Sequence, residues 1–196
     1  MLVSIKEIEM NKLYQFTLIL DGVDDQTPNL EDALFEAGCD DALINYKNGT
    51  VYLDFDREDE GLEHAIISAI KAVESTDLGA KIVSVAPEHL VNLSDIAERV
   101  SMSRQAVSLF VLGARGTKDF PKPVLKIANK SPLWRWGAVA EWFYKQRKIK
   151  DHEVVDFANV IEDINAALDS RIKEEVFLHR QEILNKLEPH KLTQRT

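Results

Sequence analysis

The sequence of 196 residues has a single cysteine and no long apolar run, and both features narrow the classes of protein it could belong to. Cys39 alone cannot form an internal disulfide or a multi-cysteine zinc site. No stretch of about eighteen consecutive apolar residues exists, so no membrane span and no membrane partner are expected. Glu7 and Glu9 interrupt the region where a secretory signal would need an unbroken apolar segment. We therefore expect a cytoplasmic protein.

The motifs of common enzyme active sites are also missing. The sequence contains no G-x-S-x-G, no P-loop and no dinucleotide-binding fingerprint. Asp54 and Asp56 alternate on one predicted strand, but they lack the spacing of a calcium loop and indicate a solvated strand end. The histidines lie too far from one another and from Cys39 to predict a metal site: His64, His89, His152, His179 and His190. We expect no enzymatic activity, no metal and no cofactor.

The net charge of −9 conceals three segments of different sign. Residues 1–90 carry 6 Lys/Arg against 19 Asp/Glu, residues 91–150 carry 12 against 4, and residues 151–196 carry 6 against 10. Only the middle segment could face a polyanion. The charge pattern and the predicted secondary structure together predict three parts: an acidic module at 1–88, a basic domain at 89–150 and a C-terminal helix at 151–196.

The acidic segment alternates strand and helix patterns. Aromatic and β-branched residues at 14–20 predict a buried strand, and apolar spacing predicts helices at 29–37 and about 61–75. Asn48-Gly49 is the strongest short-range cue for a hairpin between two further strands, and a last strand follows at 81–85. The order strand, helix, strand, strand, helix, strand predicts an α+β protein with an N-terminal ferredoxin-like (βαββαβ) module.

Beyond Lys150, apolar residues recur every three or four positions up to Leu187 and stop before Pro189. This stripe predicts one long helix over about 152–187 that must bury its apolar face against another helix or a partner chain. Two interpretations stay open. A dimerisation helix is slightly favoured, because the stripe is longer than a small domain usually needs. The alternative is a tail that packs on the protein's own N-terminal domain.

Residues 93–110 match the helix-turn-helix pattern position by position. Ser94 can cap the first helix, Ser103 can cap the second, and the small Ala97 lets the two helices cross closely. Ser101 stands where glycine is usual, and a left-handed conformation costs such a residue about 1 kcal/mol. The residues expected to form the apolar core between the helices are Ile96, Val100, Val107 and Phe110.

The exposed face of the second helix and the segment after it carry groups suited to DNA. Arg can pair bidentately with guanine and Gln with adenine in the major groove, while Ser can bond phosphates or bases. The residues expected to read DNA from this helix are Ser103, Arg104, Gln105 and Ser108. The basic residues expected to hold the DNA backbone are Arg115, Lys118, Lys122, Lys126, Lys130 and Arg135.

Several motifs together suggest a known family. Ser101-x-Ser103-Arg104 opens the second helix, Phe-Pro-x-Pro-Val occupies 120–124, Arg135-Trp136 follows, and AVAEWFYKQRK occupies 138–148. Over about 91–147 the chain resembles the winged helix-turn-helix of the MerR and AlpA (excisionase-like) superfamily. The whole chain also resembles bacterial DNA-binding proteins with an acidic N-terminal α/β module.

The resemblance implies a specific arrangement of the basic domain. The recognition helix would start at Ser103, and a hairpin at 124–136 would form the wing. The residues implied to pack this wing are Trp134, Trp136 and Trp142.

These observations favour a sequence-specific transcriptional regulator that binds double-stranded DNA. Pairing of two copies through 152–187 would give a homodimer and an inverted-repeat operator. One alternative is an autoregulating antitoxin or defence-system component that binds a protein partner through residues 1–90 or 151–188. A third hypothesis is an excisionase-like architectural protein that bends DNA. The acidic module could serve as a ligand sensor or as a protein-binding surface.

Overall fold

A computed structural model describes residues 11–128, 131–171 and 174–187 of the chain. Within these residues the protein is an α+β structure with seven helices, a four-stranded antiparallel sheet and a second sheet of two short strands.

The four-stranded sheet and two helices come from the acidic segment. The elements follow one another in the predicted order: β1 (Lys12–Asp21), α1 (Leu30–Glu36), β2 (Ala42–Lys47), β3 (Thr50–Asp59), α2 (Leu62–Glu74) and β4 (Lys81–Ala86). In space the strands lie in the order β2-β3-β1-β4, and every neighbouring pair is antiparallel. The predicted hairpin at Asn48-Gly49 is confirmed, since both residues have the positive φ that this turn requires.

Buried and exposed side chains alternate along β1, and this alternation shows which face of the sheet is covered. Tyr14, Phe16, Leu18 and Leu20 are buried in one core with the apolar faces of α1 and α2. The intervening side chains lie on the opposite face. There the sheet carries polar pairs between strands, with Thr17 donating to Asp54 (2.6 Å) and Gln15 donating to Asp56 (2.8 Å).

The basic segment forms a second, smaller core. Its elements are β5 (Leu90–Val91), α3 (Leu93–Arg99), α4 (Arg104–Val111), β6 (Trp134–Arg135) and α5 (Trp136–Lys145). β5 pairs antiparallel with β6, and this pairing joins the start of the segment to the residues just before α5. The largest buried side chains of this core are aromatic: Phe110, Trp134, Trp136, Trp142 and Phe143. The expected burial of the three tryptophans is confirmed.

The prediction of one long C-terminal helix is wrong, because the segment forms α6 (Glu153–Ser170) and α7 (Glu174–Leu187). α6 buries its apolar stripe in both cores: Val155 and Ala158 pack with the basic segment, while Ile161 and Leu168 pack with the sheet. The helix ends just beyond this buried stretch. Tertiary burial therefore decides its length more than the continuity of the apolar spacing does.

α6 also covers one edge of the four-stranded sheet. β4 is an edge strand, and Asn165 of α6 lies against it with its side chain only 4% exposed. The Asn165 side chain accepts a hydrogen bond from Val85 N (2.8 Å) and donates one to Val85 O (2.9 Å). For α6, packing on the protein's own domain is thus the correct interpretation. In the part of α7 whose side chains are described, 178–187, the apolar residues are instead exposed: Leu178, Ile183, Leu184 and Leu187.

Candidate nucleic-acid interface

The first helix of the 93–110 segment is capped by a residue that the sequence pattern did not identify. Asn92 Oδ1 accepts hydrogen bonds from Ser94 N (2.7 Å) and Asp95 N (3.3 Å), and the Asp95 carboxylate accepts one from Asn92 N (2.7 Å). This reciprocal pair is a capping box, and α3 begins at Leu93. The prediction that Ser94 caps the first helix is therefore wrong. The spacing of Asn92 and Asp95 was the signal that could have identified the true cap.

The turn between α3 and α4 has the predicted geometry. Ser101 has φ 52°, the left-handed conformation expected at this position. Met102 N donates to Ala97 O (2.8 Å), which closes the turn against the end of α3. Ser103 Oγ then accepts from Ala106 N (3.1 Å), so Ser103 caps α4 as predicted and keeps its own hydrogen to donate elsewhere. The turn is therefore fixed on both sides.

The predicted core between the two helices is largely confirmed. Ile96, Val107 and Phe110 are buried, and Ala97 is buried where the helices meet. Val100 is half-buried at the edge of the same core. Because this face of α4 faces inward, the residues between these positions are turned outward.

The first turn of α4 is exposed. Arg104 and Gln105 are exposed, Ser108 is half-buried, and the first turn contains no acidic residue. Within the described residues neither Arg104 nor Gln105 makes a side-chain hydrogen bond or ion pair. Arg104 and Ser108 also line a groove of about 340 Å³. The remaining polar side chains that line this groove belong to Asn92, Ser94 and Ser131, none of which was predicted to contact DNA.

The segment after α4 is held against the aromatic core. Trp142 Nε1 donates to Asp119 Oδ1 (2.9 Å), and Trp134 Nε1 donates to Pro121 O (3.0 Å). Phe120 packs edge-on against Trp142 with ring centroids 4.9 Å apart. Hydrogen bonds from Thr117 and Trp142 lower the pKa of Asp119, so this carboxylate stays ionised. These contacts hold the backbone between Lys118 and Lys122.

The predicted basic residues of this segment lie at the surface. Lys118, Lys122 and Lys126 are exposed. Arg115 is exposed as well, with its guanidinium 5.3 Å from the centre of the Phe110 ring. Lys118 lies beside Gly113 at the end of α4. Lys130 lies outside the described residues.

The expected hairpin at 124–136 is shorter than the resemblance implied. Leu125 and Leu133 form a single antiparallel bridge, with Leu133 N donating to Leu125 O (3.0 Å). Beyond it, Trp134 pairs with Val91 of β5, and Trp136 begins α5. The prediction of a hairpin over the whole of 124–136 is therefore wrong. Val124 N still donates to Leu133 O (2.7 Å), but the buried Trp134 pairs with β5 instead of continuing the hairpin, and Trp136 already belongs to α5.

Arg135 occupies a different environment from the other predicted basic residues. Its guanidinium forms an ion pair and hydrogen bond with Glu162 of α6. Its positive charge is thus partly neutralised within the protein, and its contact is with α6 rather than with the α4 groove. We therefore leave Arg135 out of the candidate interface. The sequence spacing could not have identified Glu162, which lies in a separate segment.

Within residues 11–128, 131–171 and 174–187, no three His, Cys, Asp or Glu side chains come together in a way that could hold a metal ion. Among the helices described, none has the length and apolarity needed to cross a lipid bilayer. Comparisons of the chain with protein-family models, with curated proteins and with solved structures found no match.

Proposed function

We propose that this protein is a sequence-specific DNA-binding transcriptional regulator in which α4 is the recognition helix. The observation that carries the proposal is the exposed first turn of α4, where Arg104 and Gln105 project from a capped and rigidly held helix start. Arg and Gln at such a position can read guanine and adenine in the major groove. Ser103 and Ser108 would add contacts to phosphates or bases.

The residues after α4, 112–128, here called the lysine-rich segment, would hold the DNA backbone. Arg115, Lys118, Lys122 and Lys126 are the described residues proposed for this role, and Lys130 follows from the sequence alone. We assign residues 89–150 to the winged helix-turn-helix of the MerR and AlpA type. The burial of the three tryptophans and the short Leu125–Leu133 bridge support a compact wing.

The remaining parts of the chain would surround this domain with negative charge. We propose that the N-terminal unit is ferredoxin-like, which its strand order β2-β3-β1-β4 supports. Its acidic surface should repel DNA, so only the face with α4 and the lysine-rich segment would dock. We further propose a homodimer formed through the exposed apolar residues of α7, which would make the operator an inverted repeat.

Selection of bound sequences from a random double-stranded DNA library tests the function directly. We expect a consensus to emerge for the purified full chain. Arg104→Ala should weaken binding to that consensus by about 1–3 kcal/mol, roughly 5- to 150-fold, and leave binding to unrelated DNA largely intact. Lys71→Ala, an exposed charge on α2, is the control and should change neither affinity. Equal weakening on every sequence would disprove base reading by Arg104.

A second candidate function rests on a different surface. Phe35 of α1 and Leu43 of β2 are 68% and 66% exposed, and both line one groove beside β2, which among the described strands pairs with β3 alone. Exposed apolar groups beside such an edge strand suit a protein partner. In that case the protein would be an antitoxin or defence-system component, with DNA binding as autoregulation. Stoichiometric co-purification of a protein from the native host, lost in Leu43→Lys, would favour this candidate.

A further inference from the structure

A cleft of about 340 Å³ lies where the sheet unit, the basic segment and α6 meet. Trp136 of α5 and Phe157 of α6 contribute aromatic walls, and Leu62 contributes from α2. The polar side chains of the lining are few: Gln15, His89 and Arg99. A mostly apolar cleft with a small number of polar groups, at about 300–1,000 Å³, is typical of small-molecule sites in proteins.

Arg99 brings a positive charge to the cleft, and its ion pair with the Glu88 carboxylate is weak. Its side chain is 19% exposed, and its guanidinium lies 5.1 Å from the centre of the Trp136 ring. It donates to the backbone oxygen of Glu88 (2.9 Å), whereas its contact with the Glu88 carboxylate is long, at 3.4 Å. That carboxylate is on a side chain that is 78% exposed. A ligand carboxylate could therefore replace Glu88 at little cost, because an exposed ion pair contributes little stability.

We propose that this cleft binds a small aromatic carboxylate, with its ring between Trp136 and Phe157 and its carboxylate on Arg99. An aromatic ring matches the two aromatic walls, and the guanidinium presents paired donors that fit a carboxylate better than any neutral group. The site is separate from the DNA-binding surface, since none of its lining residues belongs to α4 or to the lysine-rich segment.

Calorimetric titration of the full chain with naphthalene-2-carboxylate and with the uncharged naphthalene-2-carboxamide tests the proposal. We expect the carboxylate to bind at least tenfold more tightly than the amide. Arg99→Gln should weaken the carboxylate by about 10- to 100-fold, the range for a hydrogen bond to a charged group, and leave the amide nearly unchanged. Arg171→Gln, which removes an exposed arginine paired with Glu74, is the control and should bind both like the wild type.

A second variant keeps the test decisive if Arg99→Gln does not fold. Val154 lines the rim of the cleft and is partly exposed, so Val154→Phe should fill the space without disturbing Arg99 and should abolish binding of both compounds. Absence of carboxylate binding to the wild type at millimolar concentration would overturn the proposal. Unchanged binding to Val154→Phe would also overturn it. No DNA is present in these titrations, so their failure is distinct from failure of the proposed function.

Discussion

Single residues fix the geometry of the turn that presents α4. Asn92 and Asp95 satisfy the free amides at the start of α3, and Ser103 does the same for α4. Ser101 takes a left-handed conformation at a cost of about 1 kcal/mol, which the surrounding packing offsets. The first turn of α4 is therefore held without using Arg104 or Gln105, and among the described residues neither side chain has a hydrogen-bond or ion-pair partner.

Gly116 is the residue in the lysine-rich segment that tolerates a side chain least. Its φ is 73°, and an added Cβ would lie 3.1 Å from Phe110 Cδ1 and 3.3 Å from Trp142. We expect Gly116→Ala to destabilise the protein by about 1–3 kcal/mol, because it adds both backbone strain and overpacking. Urea unfolding measures the change.

Gly61→Ala is the matched control for this variant. Gly61 begins α2 in extended backbone, and an added Cβ would meet nothing within 4 Å. Its effect should stay within about 0.5 kcal/mol. A Gly116→Ala protein as stable as the control would show that the aromatic core does not hold this segment as tightly as the contacts indicate.

At the scale of elements, α6 is the part that joins the two cores. It packs on the sheet with Ile161 and Leu168 and on the basic segment with Val155 and Ala158. Arg171 at its end binds Glu74 of α2 (2.8 Å), and Lys12 of β1 binds Glu153 at its start. The hydrogen bond and charge of Glu153 raise the pKa of Lys12 above its ordinary value. α6 therefore sets how the sheet unit sits on the basic segment.

The contact between Asn165 and β4 gives a prediction for this element. Asn165→Ala leaves the buried N–H and C=O of Val85 without their partner, and each unsatisfied group costs about 1–3 kcal/mol. We expect the free energy of unfolding to fall by about 2–4 kcal/mol in urea titrations. Asn159→Ala, at an exposed position of the same helix, should have little effect. Equal effects of the two substitutions would contradict edge protection by Asn165.

For the whole molecule, the proposed function requires that the separation of charge selects the face that meets DNA. The basic groups proposed to contact phosphates, Lys118, Lys122 and Lys126, lie on one segment of an otherwise acidic protein. Each phosphate neutralised contributes about 0.9 to the slope of log affinity against log salt concentration. Replacing all three by Ala should reduce the slope by about 2.7 in DNA-binding titrations.

The charge-matched control for this triple variant lies in the acidic unit. Lys47, Lys71 and Lys81 are exposed on the sheet and α2, and their replacement by Ala should leave the slope unchanged. If both triple variants altered the slope equally, the interaction would depend on net charge alone. The proposed docking face would then be wrong.

The oligomeric state is also a property of the whole molecule. Leu184 of α7 is 47% exposed, and a second copy of α7 would bury it. We expect a dimer in sedimentation equilibrium and a monomer for Leu184→Glu, because a charge in an apolar helix contact is costly. Lys186→Glu introduces the same group at a neighbouring exposed position and should remain dimeric. A monomeric wild type at micromolar concentration would rule out pairing through α7.

The sequence by itself determined the local features of this protein. The order of strands and helices in the acidic unit, the Asn48-Gly49 hairpin, the cap at Ser103 and the left-handed Ser101 all follow from short-range rules. The exposed positions of Arg104 and Gln105 also follow from helical periodicity once Val107 and Phe110 face inward. Each depends on interactions between residues close along the chain, which spacing and residue type encode directly.

Tertiary structure decided the features that depend on distant partners. α6 ends at Ser170, two residues beyond its last buried apolar side chain, Leu168, and an unbroken apolar stripe cannot reveal this end. Arg135 forms an ion pair with Glu162 of α6 and is therefore not part of the candidate interface. Trp134 pairs with Val91 and not within the expected hairpin. The cleft at Arg99 likewise collects residues from six separate parts of the chain. Such contacts depend on how elements pack, and this information is spread over the whole sequence.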